Sequence, residues 1–187
     1  YLAWCWKAGG NNGTFNVDTS AHHLWNIVTS EVQDVSDLPM QCKHGFVTKV
    51  QNSDSDKDDY YVQFNGENER DGPGVWRECA EPGIVKSWDP DTMPHIVQRQ
   101  SDGTFLVKKF TWADRSIGDD TTNPFPSFNG KKINKVLSYA NRLAILAGEN
   151  VTLSRPATFG KPDFFSDTAL TVSVIDPIDI SCSSEFP

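Results

Sequence analysis

Three aspartates in one short segment are the residues best suited to chemistry. Asp114, Asp119 and Asp120 lie close together in the sequence, and paired carboxylates can hydrolyse a glycoside, one as acid and the other as base or nucleophile. The six tryptophans could supply flat surfaces for stacking sugar rings. Neither feature is specific, because an ion pair with the adjacent Arg115 explains Asp114, and caps or turns explain the other two. We therefore predict no catalytic residue and no enzyme activity, with a carbohydrate-binding or carbohydrate-hydrolysing protein as the alternative.

Calcium binding is a second chemistry to consider. Asp54, Asp56 and Asp58 alternate with other residues as in an EF-hand loop, which needs Gly at its sixth position and Glu at its twelfth. Those positions hold Asp59 and Asn65, so the motif fails and a solvated acidic hairpin loop is the better interpretation. The four histidines form no metal-ligand motif, and the sequence has no G-x-S-x-G, G-x-G-x-x-G or P-loop motif. We predict neither a metal site nor a cofactor.

The balance of charge limits the possible partners. The net charge is -8 and the pI is about 4.9, whereas tight binding of duplex DNA needs many Lys and Arg contacts with phosphate. Residues 121–148 nevertheless contain no acid and four bases: Lys131, Lys132, Lys135 and Arg142. This basic stretch is either a set of solvated strand faces or a positive patch that meets an acidic neighbour or phosphate in an assembly. No apolar run approaches the roughly 20 residues of a membrane-spanning helix, so we predict no such segment.

The amino-terminal elements are predicted from turn residues and apolar spacing. Residues 1–17 are expected to be extended or to form a hairpin. A helix is predicted after them, because apolar residues recur at helical spacing behind a run of N-cap candidates. These apolar residues are Ala21, Leu24, Trp25, Val28 and Val32. The segment Asp34–Pro39 is expected to end the helix.

From residue 44 onwards, short strands alternate with turns. The predicted strands are residues 46–50, 60–64, 75–79, 96–100, 105–110, 133–140, 143–146 and 151–154. The first two are expected to pair as an antiparallel hairpin, and Gly72-Pro73-Gly74 is expected to break the chain before the third. Ser101-Asp102-Gly103 is a strong turn signal for a second hairpin, and the last three strands form a meander. Residues 112–130 are a long irregular stretch, and loops of this length are usually functional or interfacial.

These elements predict a β-rich α+β fold in two regions. A composition shift near Glu81-Pro82-Gly83 separates an α+β region, residues 1–80, from a region of antiparallel β-structure, residues 81–187. Successive short meanders suit a β-propeller or a sandwich. The four cysteines, Cys5, Cys42, Cys79 and Cys182, are widely spaced and contain no C-x-x-C pair. We therefore predict four reduced and mostly buried thiols.

A series of motifs in a fixed order makes the sequence resemble one family. The series is Trp112-Ala113-Asp114-Arg115, Gly118-Asp119-Asp120, Asn123–Gly130, Asn141-Arg142-Leu143, Leu153-Ser154-Arg155 and Asp176-Pro177-Ile178-Asp179. It is preceded by Gly45-Phe46-Val47, Asp59-Tyr60-Tyr61-Val62 and Val75-Trp76-Arg77-Glu78. In this order and spacing, residues 44–182 resemble the nozzle proteins, or tail tubular proteins B, of short-tailed bacteriophages.

The resemblance implies a structural subunit of the phage tail, of which this chain would be a fragment. Family members are expected to form a ring, usually a hexamer, at the distal end of the tail tube. The ring would have a lumen for DNA ejection, without specific DNA binding, and docking sites for the adaptor ring and the tail fibres. Residues 1–80 would be the platform region and residues 81–187 the opening part of a β-propeller. The expected location is the virion tail, assembled in the bacterial cytoplasm, and the alternative is a tail protein acting on host surface glycans.

Overall fold

The computed structural model describes residues 31–51, 59–156 and 160–182, and this part of the chain is β-rich. The strands are β1 (Glu31–Val32), β2 (Gln41–Cys42), β3 (Val47–Val50), β4 (Tyr60–Gly66), β5 (Gly72–Cys79), β6 (His95–Arg99), β7 (Phe105–Lys109), β8 (Ile133–Tyr139), β9 (Arg142–Ala147), β10 (Asn150–Leu153) and β11 (Ile178–Ser181). Two short 3₁₀ helices, Val35–Asp37 and Glu67–Glu69, complete the elements found in these residues. The β-rich prediction is confirmed. Two compact units make up the chain, Tyr1–Pro82 and Gly83–Pro187.

The predicted helix is wrong at its last residue. Val32 lies in β1, which pairs in parallel with β3 so that Val32 is opposite Val50. Sheet pairing and burial of Val32 therefore override the helical spacing of the apolar residues, as tertiary context often does. The remaining predicted helical residues and the segment 1–17 lie outside the described residues.

A five-stranded sheet forms the first unit, in the order β1-β3-β4-β5-β2. The predicted hairpin of β3 with β4 is present, with Thr48 opposite Val62. Because side chains alternate along a strand, one face of the sheet collects the apolar residues. Val32, Val50 and Val62 form its small buried cluster, against which Trp76 packs.

The expected chain break at Gly72-Pro73-Gly74 is wrong, because these residues begin β5. Gly72 and Pro73 pair with β2, and Gly74 pairs with Gly66 of β4. A Cβ atom at Gly74 would lie 2.4 Å from the carbonyl oxygen of Asn65, which is too close for any other residue type. The glycine therefore permits close approach of two backbones inside the sheet.

The strands of the second unit form two sheets. β6 and β7 form the predicted hairpin around Ser101-Asp102-Gly103, as a two-stranded sheet of their own. The predicted three-stranded meander β8-β9-β10 is present and gains β11 as a fourth, antiparallel strand beside β10. Its first turn is Ala140-Asn141, with φ values of 46° and 61°, so that Arg142 belongs to β9 and not to the turn.

The core of the second unit is aromatic. Trp88 stacks on Phe128 with ring centroids 5.4 Å apart and an interplanar angle of 5°. Phe125 meets the same tryptophan edge to face at 5.0 Å. Such pairs contribute about 0.5–1.5 kcal/mol beyond the burial of their area. Ile145 and Ala147 of β9 are fully buried against this cluster, which anchors the four-stranded sheet to the irregular segment of residues 112–130.

The cysteine prediction is wrong for two residues. Cys42 is buried but disulfide-bonded, and Cys182 is exposed. Neither Cys79 nor Cys182 is disulfide-bonded. No helix in the described residues is long and apolar enough to cross a membrane.

Candidate functional site

The segment that carries the candidate carboxylates is a tightly bonded loop. Asp119 Oδ1 accepts hydrogen bonds from the backbone N–H groups of Thr121 at 2.7 Å and Thr122 at 2.8 Å. Burial opposes ionisation of Asp119, but these hydrogen bonds and the one from the Thr122 hydroxyl outweigh it, so the pKa of Asp119 is lowered. A general acid in glycoside hydrolysis needs a raised pKa. Asp119 is therefore a turn-forming carboxylate, in line with the predicted cap or turn.

Arg115 lies at the centre of this loop and is 1% exposed. Its Nη1 donates to the carbonyl oxygens of Asp119 and Asn123, both at 3.2 Å, and Nη2 donates to the carbonyl of Val85. Nη1 also forms an ion pair at 2.7 Å with Asp120. The predicted pair with the adjacent Asp114 is thus replaced by a pair five residues further on, and Asp114 is exposed. Through its bond to Val85, the guanidinium links the loop to the first residues of the second unit.

The side chain of Asn123 ties the same loop to a distant segment. Its Nδ2 donates to the carbonyls of Ile117 at 3.0 Å and Ser166 at 3.1 Å, and its Oδ1 accepts from the N–H of Ser166 at 3.0 Å. A buried amide that uses both its donors and its acceptor fixes the relative position of the segments that it joins. Asn123 therefore sets the start of the proline-rich run up to Gly130.

A second arginine of the motif series, Arg142, is also internal. Nη1 donates to the carbonyl of Ser154 at 3.0 Å, and Nη2 donates to the carbonyl of Val174 at 2.8 Å. Nη1 donates in addition to the carbonyl of Asp176 at 2.6 Å. Arg142 is 9% exposed, so it does not belong to an exposed basic patch. Lys131, Lys132 and Lys135 are the exposed bases of the predicted stretch.

Asp179 joins the proline-rich loop to the edge of the four-stranded sheet. Its Oδ2 accepts from the N–H of Ser127 at 2.6 Å, and its Oδ1 accepts from the Ser127 hydroxyl at 2.7 Å. Thr152 of β10 donates to the same Oδ1 at 3.1 Å. The motif Asp176-Pro177-Ile178-Asp179 is thus a turn into a strand, with both of its carboxylates bonded inside the unit.

The tryptophans that the structure describes are not stacking platforms for sugars. Trp88 and Trp112 are 8% and 7% exposed, and the indole N–H of Trp88 donates to the carbonyl of Ala113 at 2.9 Å. Trp76 is partly buried and donates to the carbonyl of Pro39 at 2.9 Å. The other three tryptophans fall outside the residues that the structure describes. Within the described ranges, no group of three or more His, Cys, Asp or Glu side chains could hold a metal ion.

One surface was not recognised from the sequence as a candidate site. Val97, Phe105 and Val107 on the β6–β7 hairpin are 65%, 68% and 66% exposed. The available signal was the run Phe105-Leu106-Val107, which places apolar residues on both faces of a strand instead of alternating them with polar ones. We define the face that carries Val97, Phe105 and Val107 as the hairpin face.

Comparisons with known proteins show which family the chain belongs to. The sequence matches the family model described as bacteriophage nozzle protein over residues 4–186. Tail tubular protein gp12 of Escherichia phage T7 is 37% identical over 168 residues, which are 89% of this chain and 20% of that protein. The chain therefore spans about a fifth of the length of this relative. The resemblance of residues 44–182 is confirmed, and the chain belongs to the bacteriophage nozzle protein family.

Proposed function

We propose that this chain is part of a structural subunit of a phage tail nozzle and that it resides in the tail of the virion. The observation that carries the proposal is the use of the motif residues. Four motif residues use their polar side-chain groups in hydrogen bonds within the second unit: Arg115, Asn123, Arg142 and Asp179. Polar side chains that are used to build a scaffold suit a structural tail component, and family membership supports this assignment.

The whole nozzle protein is proposed to assemble as a ring, most simply a hexamer, around a channel for DNA ejection. Copies of itself, the tail adaptor ring and the tail fibres would be its protein partners, and DNA would pass through without specific binding. The name of the T7 relative, a tail tubular protein, supports a tube-forming role. A charge of -8 per chain supports a channel that does not hold DNA.

We further propose that residues 1–80 form a platform region and that residues 81–187 open a β-propeller. A propeller blade is a sheet of four antiparallel strands. β8, β9, β10 and β11 form such a sheet, in which their spatial order follows their order in the chain. The run Leu143–Ala147 in β9 is apolar on both faces of the strand, which is typical of a strand covered on both sides. One side is covered by the aromatic core. On the other side Ala144 is already buried and Leu146 is half-buried, and the next blade would complete the cover over Leu146.

The proposed role is not enzymatic. The lowered pKa of Asp119 and the ion pair of Asp120 with Arg115 support a structural use of these carboxylates. Replacing Asp114, Asp119 and Asp120 by Asn together tests this role in a polysaccharide turnover assay. Parent chain and variant are expected to be equally inactive. Activity of the parent that disappears in the variant would favour the carbohydrate-hydrolysing alternative.

Immunogold imaging of phage particles that carry this sequence tests the main proposal. Antibodies against the purified chain are expected to label the distal end of the tail. Labelling of the capsid would contradict a nozzle role. Class averages of the labelled tail, viewed along its axis, would give the number of subunits in the ring.

A further inference from the structure

The β6–β7 hairpin presents an apolar face to solvent. Val97 lies opposite Val107, and Arg99 lies opposite Phe105. Opposite residues, and residues two apart on a strand, lie on the same side of a sheet. The three apolar side chains of the hairpin face are therefore neighbours, and each is about two-thirds exposed.

Physical chemistry argues against leaving this face uncovered. A two-stranded hairpin is only marginally stable in water by itself. A contiguous exposed patch with polar neighbours is typical of an interaction site. Phe105 alone could bury on the order of 150 Å² in a partner. Burial of that area would contribute a large part of the binding free energy of a small interface.

The charges around the patch define what can cover it. His95, Arg99 and Lys109 lie on the same side of the hairpin, since His95 is opposite Lys109. Lys109 pairs with Asp91, whereas Arg99 has no ion-pair partner among the described residues. Two identical hairpin faces would bring these bases together, which disfavours a symmetric contact. The rim therefore calls for an acidic partner.

The first unit of the chain has that acidic character. Residues 1–82 contain thirteen acids and six bases, whereas residues 83–187 contain twelve acids and eleven bases. The net charge is thus -7 in the first unit and -1 in the second. Glu67 and Glu69 are exposed in the turn between β4 and β5, and neither has an ion-pair partner within the described part of the chain.

We propose that the hairpin face of one copy docks against the acidic turn Glu67–Asp71 of a second copy of this chain. The contact joins two different surfaces, and such heterologous contacts generate rings when the rotation closes. This contact would join neighbouring subunits of the proposed ring, so the inference rests on the proposed function. Apolar burial by Val97, Phe105 and Val107 supplies attraction, and Arg99 facing Glu67 fixes the orientation.

Sedimentation equilibrium of the 187-residue chain, up to millimolar concentration and at low salt, tests the contact. Weak self-association is expected, and Val107→Glu is expected to raise its dissociation constant by about tenfold or more. Val172→Glu is the matched control, because it adds the same charge to an apolar residue of the second unit that is 96% exposed. The control is expected to associate like the parent chain. Equal weakening by both variants would overturn the hairpin face as the site.

A charge exchange identifies the partner surface. Arg99→Glu and Glu67→Arg are each expected to weaken association, and the double variant is expected to recover most of it. A double variant as weak as the singles would overturn the acidic turn as the partner. A chain that stays monomeric at every concentration would overturn the contact as well. None of these results affects the nozzle role, which the immunogold imaging tests separately.

Discussion

Arg115 and Asp120 form an ion pair whose two members lie in opposite environments. Their Nη1 and Oδ1 atoms are 2.7 Å apart, yet the Arg115 side chain is 0% exposed and the Asp120 side chain is 75% exposed. The guanidinium donates to backbone carbonyls of Asp119 and Asn123 in the loop and of Val85 outside it, whereas the carboxylate that neutralises it lies at the surface. The contribution of the pair to stability should therefore depend on which partner is removed.

Arg115→Ala is expected to lower the free energy of unfolding by about 3 kcal/mol or more. Three carbonyls lose their donor, one of them buried and two part-buried, and an unsatisfied buried group costs about 1–3 kcal/mol. Asp120→Asn is expected to cost less than about 1 kcal/mol, because the carboxylate is exposed and screened. Urea unfolding of the two variants measures the difference. Similar losses in both would show that the ion pair, and not the carbonyl contacts, holds the loop.

Most strands could be predicted from the sequence, because alternation and turn residues are local signals. The hairpins of β3 with β4 and of β6 with β7 follow from them directly. Val32 could not be placed, since its helical spacing was local and its pairing with Val50 is not. Gly72-Pro73-Gly74 looked like a break because the packing that requires glycine lies on the neighbouring strand.

Gly74→Ala is expected to destabilise the first unit by about 1–3 kcal/mol. The new methyl group would meet the carbonyl oxygen of Asn65 and the Cα atom of Gly66, and backbone atoms cannot move away cheaply. Gly160→Ala is the control, because nothing lies within 4 Å of the added atom. Thermal unfolding followed by circular dichroism compares the two. A neutral Gly74→Ala would mean that β4 and β5 are further apart than the structure places them.

The carboxylate of Asp119 gives the loop a dependence on pH. Its pKa in the folded chain is lowered from 3.8, so its contribution to stability is complete above that value and is lost as the pH falls through the lowered pKa. Asp119→Asn is expected to be less stable than the parent chain at pH 7, with the difference shrinking on acidification. Urea unfolding between pH 7 and about pH 3 measures it. Asp114→Asn, at an exposed position, is the control and is expected to change stability by less than about 0.5 kcal/mol.

The roles of the motif residues were only partly predictable. Asp119 as a turn residue follows from its neighbours, because the hydrogen bonds are made within three residues. Arg115 was paired with Asp114, and Arg142 was counted with the basic stretch. Nothing in the local sequence shows that each of them donates to carbonyls of distant segments. The hairpin face was missed because alternation places a strand in a sheet without showing that nothing covers it.

The exposed lysines Lys131, Lys132 and Lys135 decide whether the proposed channel would hold DNA. Each lysine–phosphate contact adds salt-sensitive affinity, so a lumen lined with such contacts would retard the genome during ejection. The negative charge of the chain instead gives a repulsive field, which acts over about 8 Å at physiological salt. We expect these three lysines to face a protein neighbour and not the lumen.

The chain is therefore expected to bind duplex DNA no better than about 10⁻⁴ M at physiological salt, the weak end of non-specific binding. A gel-shift titration of the parent chain measures this directly. Changing Lys131, Lys132 and Lys135 to Glu is expected to leave the result unaltered. The same change at Lys43, Arg70 and Lys161, which are exposed elsewhere, controls for total charge. Micromolar binding by the parent chain that is lost in the Lys131, Lys132 and Lys135 variant, but kept in the control variant, would make the basic stretch a DNA contact. That result would argue against a channel that lets DNA slide.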